Sequence, residues 1–386
     1  MVDLDVAVIG AGVHGASAAL HLAERGARVR VYDRLGVAAG PTGRSSAICR
    51  AYYTNEFLAR VAQDSIEFLA DFPARTGGYD AGFRQNGIVY LHPESDRAAA
   101  AAVADRLRSQ GTECELVDPD RVGELAPGLD PDGVGFGVYL AGAGYADPAG
   151  TTHGLLARAL TLGADVRIGA DVAAIAERAG GGAVLTMADG DVIECSRLLV
   201  AAGPWTAPLC RQFGVELPLT VERHIVTMYE VPPELRLPVS FSDLIHGYYY
   251  RPEGDSLFCL GLSDPAPQVD PDDFAADVTD DEVLELGGRV AKRVPKFENA
   301  AARGGWASVY DVSPDWQPVI GQVADGIFVD AGTSGHGFKL APVLGRHVAD
   351  MVCGGPTDPG LEQFSPARFD RGGMLQAGFG RSRVLG

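Results

Sequence analysis

Two glycine-rich stretches carry the residues best placed to do chemistry. The first is Gly10-Ala-Gly12-Val13-His14-Gly15, led in by apolar Val6–Ile9. A helix-forming run from Ala16 to Arg25 follows it, then a strand-like run, Ala27–Asp33. Strand, Gly-x-Gly-x-x-Gly turn, helix, and a second strand ending on a carboxylate make a unit suited to a dinucleotide. Gly10 permits the tight turn, Gly12 lets the backbone approach a pyrophosphate, and Gly15 allows close helix–strand packing. Amides left open at the helix start attract phosphate. Asp33 is placed to accept hydrogen bonds from a ribose, which disfavours a 2′-phosphate. The motif alone leaves NAD and FAD equally open. The second stretch is Gly332-Thr-Ser-Gly335-His336-Gly337-Phe338-Lys339. The chain has three lysines, Lys292, Lys296 and Lys339, so one kept inside a glycine-rich loop draws notice.

The elements that must position these stretches belong to a chain of 386 residues, long enough for two domains or for one domain with an insertion. Hydrophobic content of 46% with 22% charged residues suits a globular protein with a sizeable core. The formal charge of −19 argues against a nucleic-acid partner, which needs basic patches. Six scattered cysteines show no Cys-x-x-Cys and no His/Cys ligand spacing, so reduced thiols and no metal are expected. The first strand begins without a basic leader, and no apolar run nears the roughly 18 residues of a membrane span. A cytoplasmic protein is the expectation.

Along the chain, small residues from Gly36 to Gly43 lead into Arg44-Ser45-Ser46-Ala47-Ile-Cys-Arg50. Helices are predicted at Phe57–Phe72, Arg97–Gln110 (closed by Gly111), Thr151–Leu162, Asp281–Val294 and Leu340–Met351, with a short one opening at Asp118-Pro119. Strands are predicted at Gly87–Leu91, at Asp165–Ile168 and Val172–Ile175 joined by a turn, and in a hairpin around Asp189-Gly190. Arg197–Ala202 reads as a buried strand stopping at Gly203. Segments near Val221–Glu230, Tyr248–Arg251 and Leu257–Leu262 read as antiparallel, and Ile327–Ala331 as a further strand. The stretch between Pro127 and Tyr139 reads as loops rich in glycine and proline. The fold expected is α/β: a Rossmann-type nucleotide domain (1–82, 146–216 and 306–372) with an inserted antiparallel α+β substrate domain (83–145 and 217–305) and a tail, 373–386.

Taken together, Gly10–Gly15 with Asp33, Arg44–Tyr53, Gly144–Pro148, Leu198–Trp205, Val312–Asp315 and Gly332–Lys339 span nearly the whole chain. In this combination the chain resembles the FAD-dependent amine oxidoreductases typified by D-amino-acid oxidase, and most closely their sarcosine oxidase and dimethylglycine/sarcosine dehydrogenase branch. The resemblance implies FAD, with the isoalloxazine ring at the domain boundary. Its path would be lined by Val13, His14, Arg34, Thr42, Arg44, Ser45, Ser46, Ala202, Gly203 and Trp205, and Val172 would present its backbone to the adenine. Gly332, Gly335, His336, Gly337, Phe338 and Lys339 would lie against the flavin, their helix stabilising charge on the reduced ring. By the same resemblance Arg50 and Lys339 clamp a substrate carboxylate, which suits a planar guanidinium with two parallel donors and a point charge. Tyr249 would face the substrate, alone on its side of an alternating strand. His336 is read as a backbone-contact residue of its loop rather than an acid/base.

The sequence also departs from that branch. Ser308 stands where a cysteine links the flavin covalently, so non-covalent FAD is expected. Ala47 replaces an arginine, and no lysine falls near Cys259 or Leu260, which weighs against oxygen as acceptor. The expected reaction is oxidation of a carbon–nitrogen bond in a carboxylate-bearing amine (N-methyl, cyclic secondary or related), a hydride passing to flavin N5 to leave an imine. The acceptor is oxygen or another carrier. The alternatives are a 2-hydroxy-acid or glycerol-phosphate-type dehydrogenase, with His224 or His246 as base, and an amino-acid oxidase releasing hydrogen peroxide. A non-catalytic FAD subunit of a larger complex ranks last.

Overall fold

Strands buried on both faces read as continuous aliphatic runs, and such runs form the centre of the first sheet. In the computed structural model, which describes residues 4–376, Leu4–Ile9 pairs in parallel with Val29–Asp33 on one side and with Val192–Val200 on the other. Asp165–Ile168 extends the sheet beyond Val29–Asp33, again in parallel. The long strand Val192–Val200 divides its second edge. Its first half pairs antiparallel with Ala183–Met187, and its last residues pair in parallel with Ile327–Ala331. Val319–Ala324 then closes that side antiparallel to Ile327–Ala331.

Three helices cover one face. Val13–Glu24 carries Ala16, Ser17, Ala18 and Ala19 fully buried, and it packs against Ala341–Cys353 and Pro148–Thr161. Small side chains let the backbones approach. A Cβ on Gly345 would lie 2.2 Å from Ser17 Oγ, whose hydroxyl donates to the Pro342 carbonyl. Pro148–Thr161 begins with Asp147 accepting from the Ala149 amide and Pro148 in the first turn, a favourable cap at an otherwise open helix end.

The second sheet is sewn from two separate stretches of chain. Ala301–Val312, Thr220–Glu230, Leu257–Leu262, Tyr248–Glu253 and Ser240–Asp243 follow one another, and then come Ile88–His92, Phe136–Leu140 and Glu115–Val117. Every pairing is antiparallel except Ser240–Asp243 with Ile88–His92, where the two stretches join. Tyr248 and Tyr250 point to one face, into an aromatic core with Phe241, Phe258 and Phe297. Ala301–Val312 lies wholly in this sheet, so the chain changes sheets between Val312 and Val319.

Several elements depart from expectation. Asp165–Ile168 and Val172–Glu177 follow each other closely but do not pair: the first joins Val29–Asp33, the second Ala183–Met187. The stretch read as loops contains the strand Phe136–Leu140, and Ser240–Asp243 and Val319–Ala324 are also strands. All six cysteines are free thiols, and five are buried. Among the described residues no helix is long and apolar enough to cross a membrane.

Candidate functional site

The turn after the first strand is built to bring backbone to a ligand. Gly10 has φ +112°, and a Cβ there would sit 2.3 Å from the Ala201 carbonyl oxygen. A Cβ on Gly15 would sit 2.0 Å from the Gly10 oxygen, so only glycine lets helix and turn close together. Gly12 caps Val13–Glu24 with no side-chain hydrogen bond and no acid in the first turn, leaving the positive helix end available to an anion. A cleft of about 360 Å³ opens there, and Gly12, Asp33, Val172, Gly203 and Trp205 all reach it. Thr42 Oγ1 accepts from the Val13 amide at 3.2 Å and holds the next loop against the turn.

Asp33 is held by backbone amides. Its oxygens accept from the amides of Ala11, Leu35 and Gly36, each at 2.8 Å, so the carboxylate also fixes the loop around it. Arg34 stacks on Trp205 at 4.8 Å and pairs with Asp272, and the Trp205 indole N–H donates to the same carboxylate at 3.0 Å. The polar loop after Leu262 therefore crosses to the nucleotide cleft.

Two further cavities continue from this cleft, each sharing wall residues with the next. Val13, His14 and Thr42 border the first and second, while Ser45, Ser46 and Phe338 border the second and third. The result is one extended path from Val172 to Lys339. At its middle, His14 Nδ1 lies 2.9 Å from Asp330 Oδ2 and Nε2 lies 3.2 Å from the Gly337 carbonyl. Burial opposes charge on this imidazole, but Asp330 outweighs it and raises the pKa above the usual histidine value. Burial likewise raises Asp311, whose carboxylate accepts from the Gly332 amide at 2.6 Å. Arg44 donates to the Ala307 carbonyl, and the Trp306 indole returns a bond to the Arg44 carbonyl.

The far end is a small cavity of about 80 Å³, where Arg50, Tyr90, Tyr249, Trp316, His336 and Lys339 meet. No aspartate or glutamate lines it among the described residues. Arg50 is buried, donates to the Tyr52 carbonyl at 2.8 Å and lies over the Tyr53 ring at 4.0 Å. Lys339 is buried too. Desolvation, and then the Arg50 charge, push its ammonium pKa well below the usual lysine value. Tyr249 stands on the opposite side of its strand from Tyr248 and Tyr250, and burial raises its phenol well above 10 while Ser46 hydrogen-bonds it. A Cβ on Gly261 would lie 2.2 Å from the Tyr249 hydroxyl, so that glycine makes room for the ring.

His336 has defined roles for both nitrogens. Burial, then Lys339, lower its pKa to about 3, so the ring is neutral. Nε2 faces the Trp316 carbonyl at 2.9 Å and must donate, which leaves Nδ1 to accept from the Tyr53 hydroxyl at 3.1 Å. Both bonds hold the loop in place.

The cavities also contain residues that sequence patterning did not single out. Tyr310 stacks on His224 at 3.9 Å between ring centroids, and His224 Nε2 lies 3.2 Å from Glu222. Gly335 makes that stack possible, since a Cβ there would meet the Tyr310 ring at 2.2 Å. Tyr90 and Trp316 complete the wall. Ser308 pairs across from His224, and its buried hydroxyl has no partner among the described residues. Of the two alternative bases, His224 reaches the cavity. His246 does not line it and is engaged by Asp243 and Arg293.

An extended, glycine-floored groove ending on two buried cations defines a dinucleotide-dependent oxidoreductase. Residues 5–351 match the family described as "DAO: FAD dependent oxidoreductase", and the chain belongs to that family. Its cofactor is accordingly FAD. Dimethylglycine dehydrogenase of Rattus norvegicus is 26% identical over 390 residues, covering 95% of this chain and 45% of that protein, so this chain spans less than half of that relative. Monomeric sarcosine oxidase of Streptomyces avermitilis is 26% identical over 392 residues, covering 95% of this chain and 97% of that protein. Among solved structures, L-proline dehydrogenase from P. horikoshii superposes with a TM-score of 0.88 at 22% identity, covering 97% of this chain and 100% of that one.

Proposed function

We propose that this protein oxidises the carbon–nitrogen bond of a small amine bearing a carboxylate to the imine, which water then hydrolyses. The observation that carries this reading is the terminal cavity: Arg50 and Lys339 are buried together in its wall, where no acidic side chain stands among the described residues, and desolvation, then the Arg50 charge, lower the Lys339 pKa. A substrate carboxylate is the group that complements this wall, with Arg50 able to present paired donors and Lys339 a single ammonium. Tyr249, Tyr90 and Tyr310 offer apolar ring faces to the rest of the molecule and keep water out. That arrangement holds the reacting carbon in one place, a proximity effect. When bound, FAD supplies the two-electron acceptor for this step. Gly10, Gly12, Thr42, Gly203 and Trp205 would hold its nucleotide half, and Ser45, Ser46, Gly335 and Phe338 the half nearer the cations.

FAD held without a covalent bond is favoured by Ser308 in place of a cysteine. An acceptor other than oxygen is favoured because buried Cys259 and Leu260 stand where a lysine would be needed. Family members oxidise small amino acids, as monomeric sarcosine oxidase and glycine oxidase are named for doing. The free thiols suit the cytoplasm.

The test is an anaerobic titration of the yellow protein with N-methyl and cyclic amino acids. Bleaching of the oxidised flavin band supports amine oxidation. A second reading, oxidation of a 2-hydroxy acid with His224 as base, draws on His224 reaching the cavity beside Glu222. Bleaching by hydroxy acids and not by amines would select it.

A further inference from the structure

Among the described residues four other than glycine adopt the left-handed backbone region; Trp316 lines the terminal cavity, and Ala47 and Ser334 are sequence neighbours of residues that do. Their φ angles are 60° at Trp316 and 50° at both Ala47 and Ser334. For a bulky aromatic residue this region is a true outlier, and it persists only where the surroundings over-determine it. Trp316 is over-determined from both sides. In its own turn, the Asp315 carboxylate accepts from the Ser313 hydroxyl and the Gln317 amide. Arg368, from the C-terminal part of the chain, closes on Asp315 with two bonds of 2.9 Å and on the Gln317 carbonyl at 3.0 Å. From the cavity side, His336 Nε2 donates to the Trp316 carbonyl. The same imidazole accepts from Tyr53, whose ring lies under Arg50. Strain at Trp316 is thus maintained by two independent sets of contacts, one of which passes through His336 and Tyr53 to Arg50.

The side chain this strain presents is the largest in the cavity wall, buried to 3% exposure. A turn free of such strain needs glycine or asparagine at this backbone angle. We infer that Trp316 is the specificity-determining residue of the site: its indole bounds the space beyond the carboxylate clamp and restricts occupants to small aliphatic amino acids. Arg368, Asp315 and His336 are positioning residues that hold it there. The inference rests on the proposed carboxylate site and adds what that site excludes.

The experiment measures equilibrium binding of acetate, benzoate and 1-naphthoate to the purified FAD-loaded protein, read as perturbation of the flavin absorption band. Wild type is expected to bind acetate and to reject 1-naphthoate. Trp316→Gly, which suits the backbone angle, is expected to raise the naphthoate-to-acetate affinity ratio at least about tenfold, in the range that apolar pocket changes produce. Trp316→Phe should give a smaller change of the same sign if glycine does not fold. Asp315→Asn, which keeps the indole but weakens its turn, should broaden selectivity as well, whereas a purely structural role would lower Tm and leave the ratio alone. An unchanged ratio in folded Trp316→Gly or Trp316→Phe overturns the inference while leaving the clamp standing. If no carboxylate perturbs the flavin in wild type, the clamp itself fails and the inference with it.

Discussion

Lys339 Nζ lies 3.4 Å from the backbone carbonyl of His336, a long bond for an ammonium buried beside Arg50. The loop that supplies this lysine also supplies the residue that braces Trp316, so one glycine-rich segment sets both the charge and the shape of the cavity. Desolvation, and then Arg50, hold Lys339 below its normal pKa, so its ammonium gives up its proton at a lower pH than an exposed lysine does. A carboxylate entering the cavity restores the proton. Binding of acetate is therefore expected to take up protons at pH values between the depressed and normal lysine pKa, as read by calorimetry in buffers of different ionisation enthalpy. Lys339→Met should remove the uptake; uptake that persists in that variant would place the titrating group elsewhere.

Arg50 makes a sharper demand on geometry. Truncating one partner of a buried, hydrogen-bonded charge pair costs about 2–5 kcal/mol. Arg50→Met should thus raise KM for the amine by roughly 30-fold to 4,000-fold. Arg50→Lys should recover little of this, because a point charge lacks the paired donors. Steady-state kinetics with unchanged KM in both variants would remove Arg50 from the clamp.

His14 and Asp330 tie the nucleotide turn to the loop that carries Lys339. The folded imidazole has its pKa raised above 6.5, so its stabilising contribution is complete below that value and fades as pH rises through the folded pKa. His14→Gln leaves Asp330 buried without its counter-charge, a loss of about 3 kcal/mol. The Tm gap between wild type and His14→Gln should be widest in acid and narrow in alkali. A gap that does not change with pH would mean the pair is not ionised.

Gly335→Ala places a methyl group 2.2 Å from the Tyr310 ring at a backbone angle that alanine resists. The Tyr310–His224 stack must shift. Because that stack faces the cavity, kcat is expected to fall at least about tenfold. Circular dichroism of the variant should remain native; normal turnover would show that the stack is not part of the working site.

Asp272 spans from the loop after Leu262 to Arg34 and Trp205 across the nucleotide cleft. Its contacts are largely exposed and worth about 1 kcal/mol or less. Asp272→Ala should leave FAD affinity within about tenfold of wild type while speeding FAD release several-fold, as followed by the return of flavin fluorescence on dilution. An unchanged release rate would make the crossing incidental.

Local motifs were readable because their physics is local. Gly10, Gly12 and Gly15 act through backbone within one turn, and the alternation at Tyr248, Tyr249 and Tyr250 sorted core from cavity without knowledge of the rest of the chain. Arg50 and Lys339 became meaningful only through the resemblance, since nearly 290 residues separate them. Trp316, Tyr310 and Tyr53 stayed hidden because each owes its place to a partner on a distant element. Phe136–Leu140 looked like a loop because of Gly135 and Gly137. In the sheet, Gly137 leaves room for Val89, Val117 and Val122, which a Cβ would meet at 3.0 Å or less. Asp33 was read as a ribose ligand, yet three backbone amides claim its oxygens as well, a demand invisible without the loop's path.

The interleaving of the two sheets governs how the chain can reach its final state. Leu4–Ile9 needs Val192–Val200, which needs Ile327–Ala331, while Ile88–His92 needs Ser240–Asp243. No contiguous half of the polypeptide completes either sheet. During synthesis both must wait with open edges until nearly the last strand has left the ribosome, and long-range pairings of this kind form slowly. Fragments cut at the sheet crossings should therefore not yield a stable nucleotide unit, and production of the whole protein should depend on keeping those edges apart until the chain is finished.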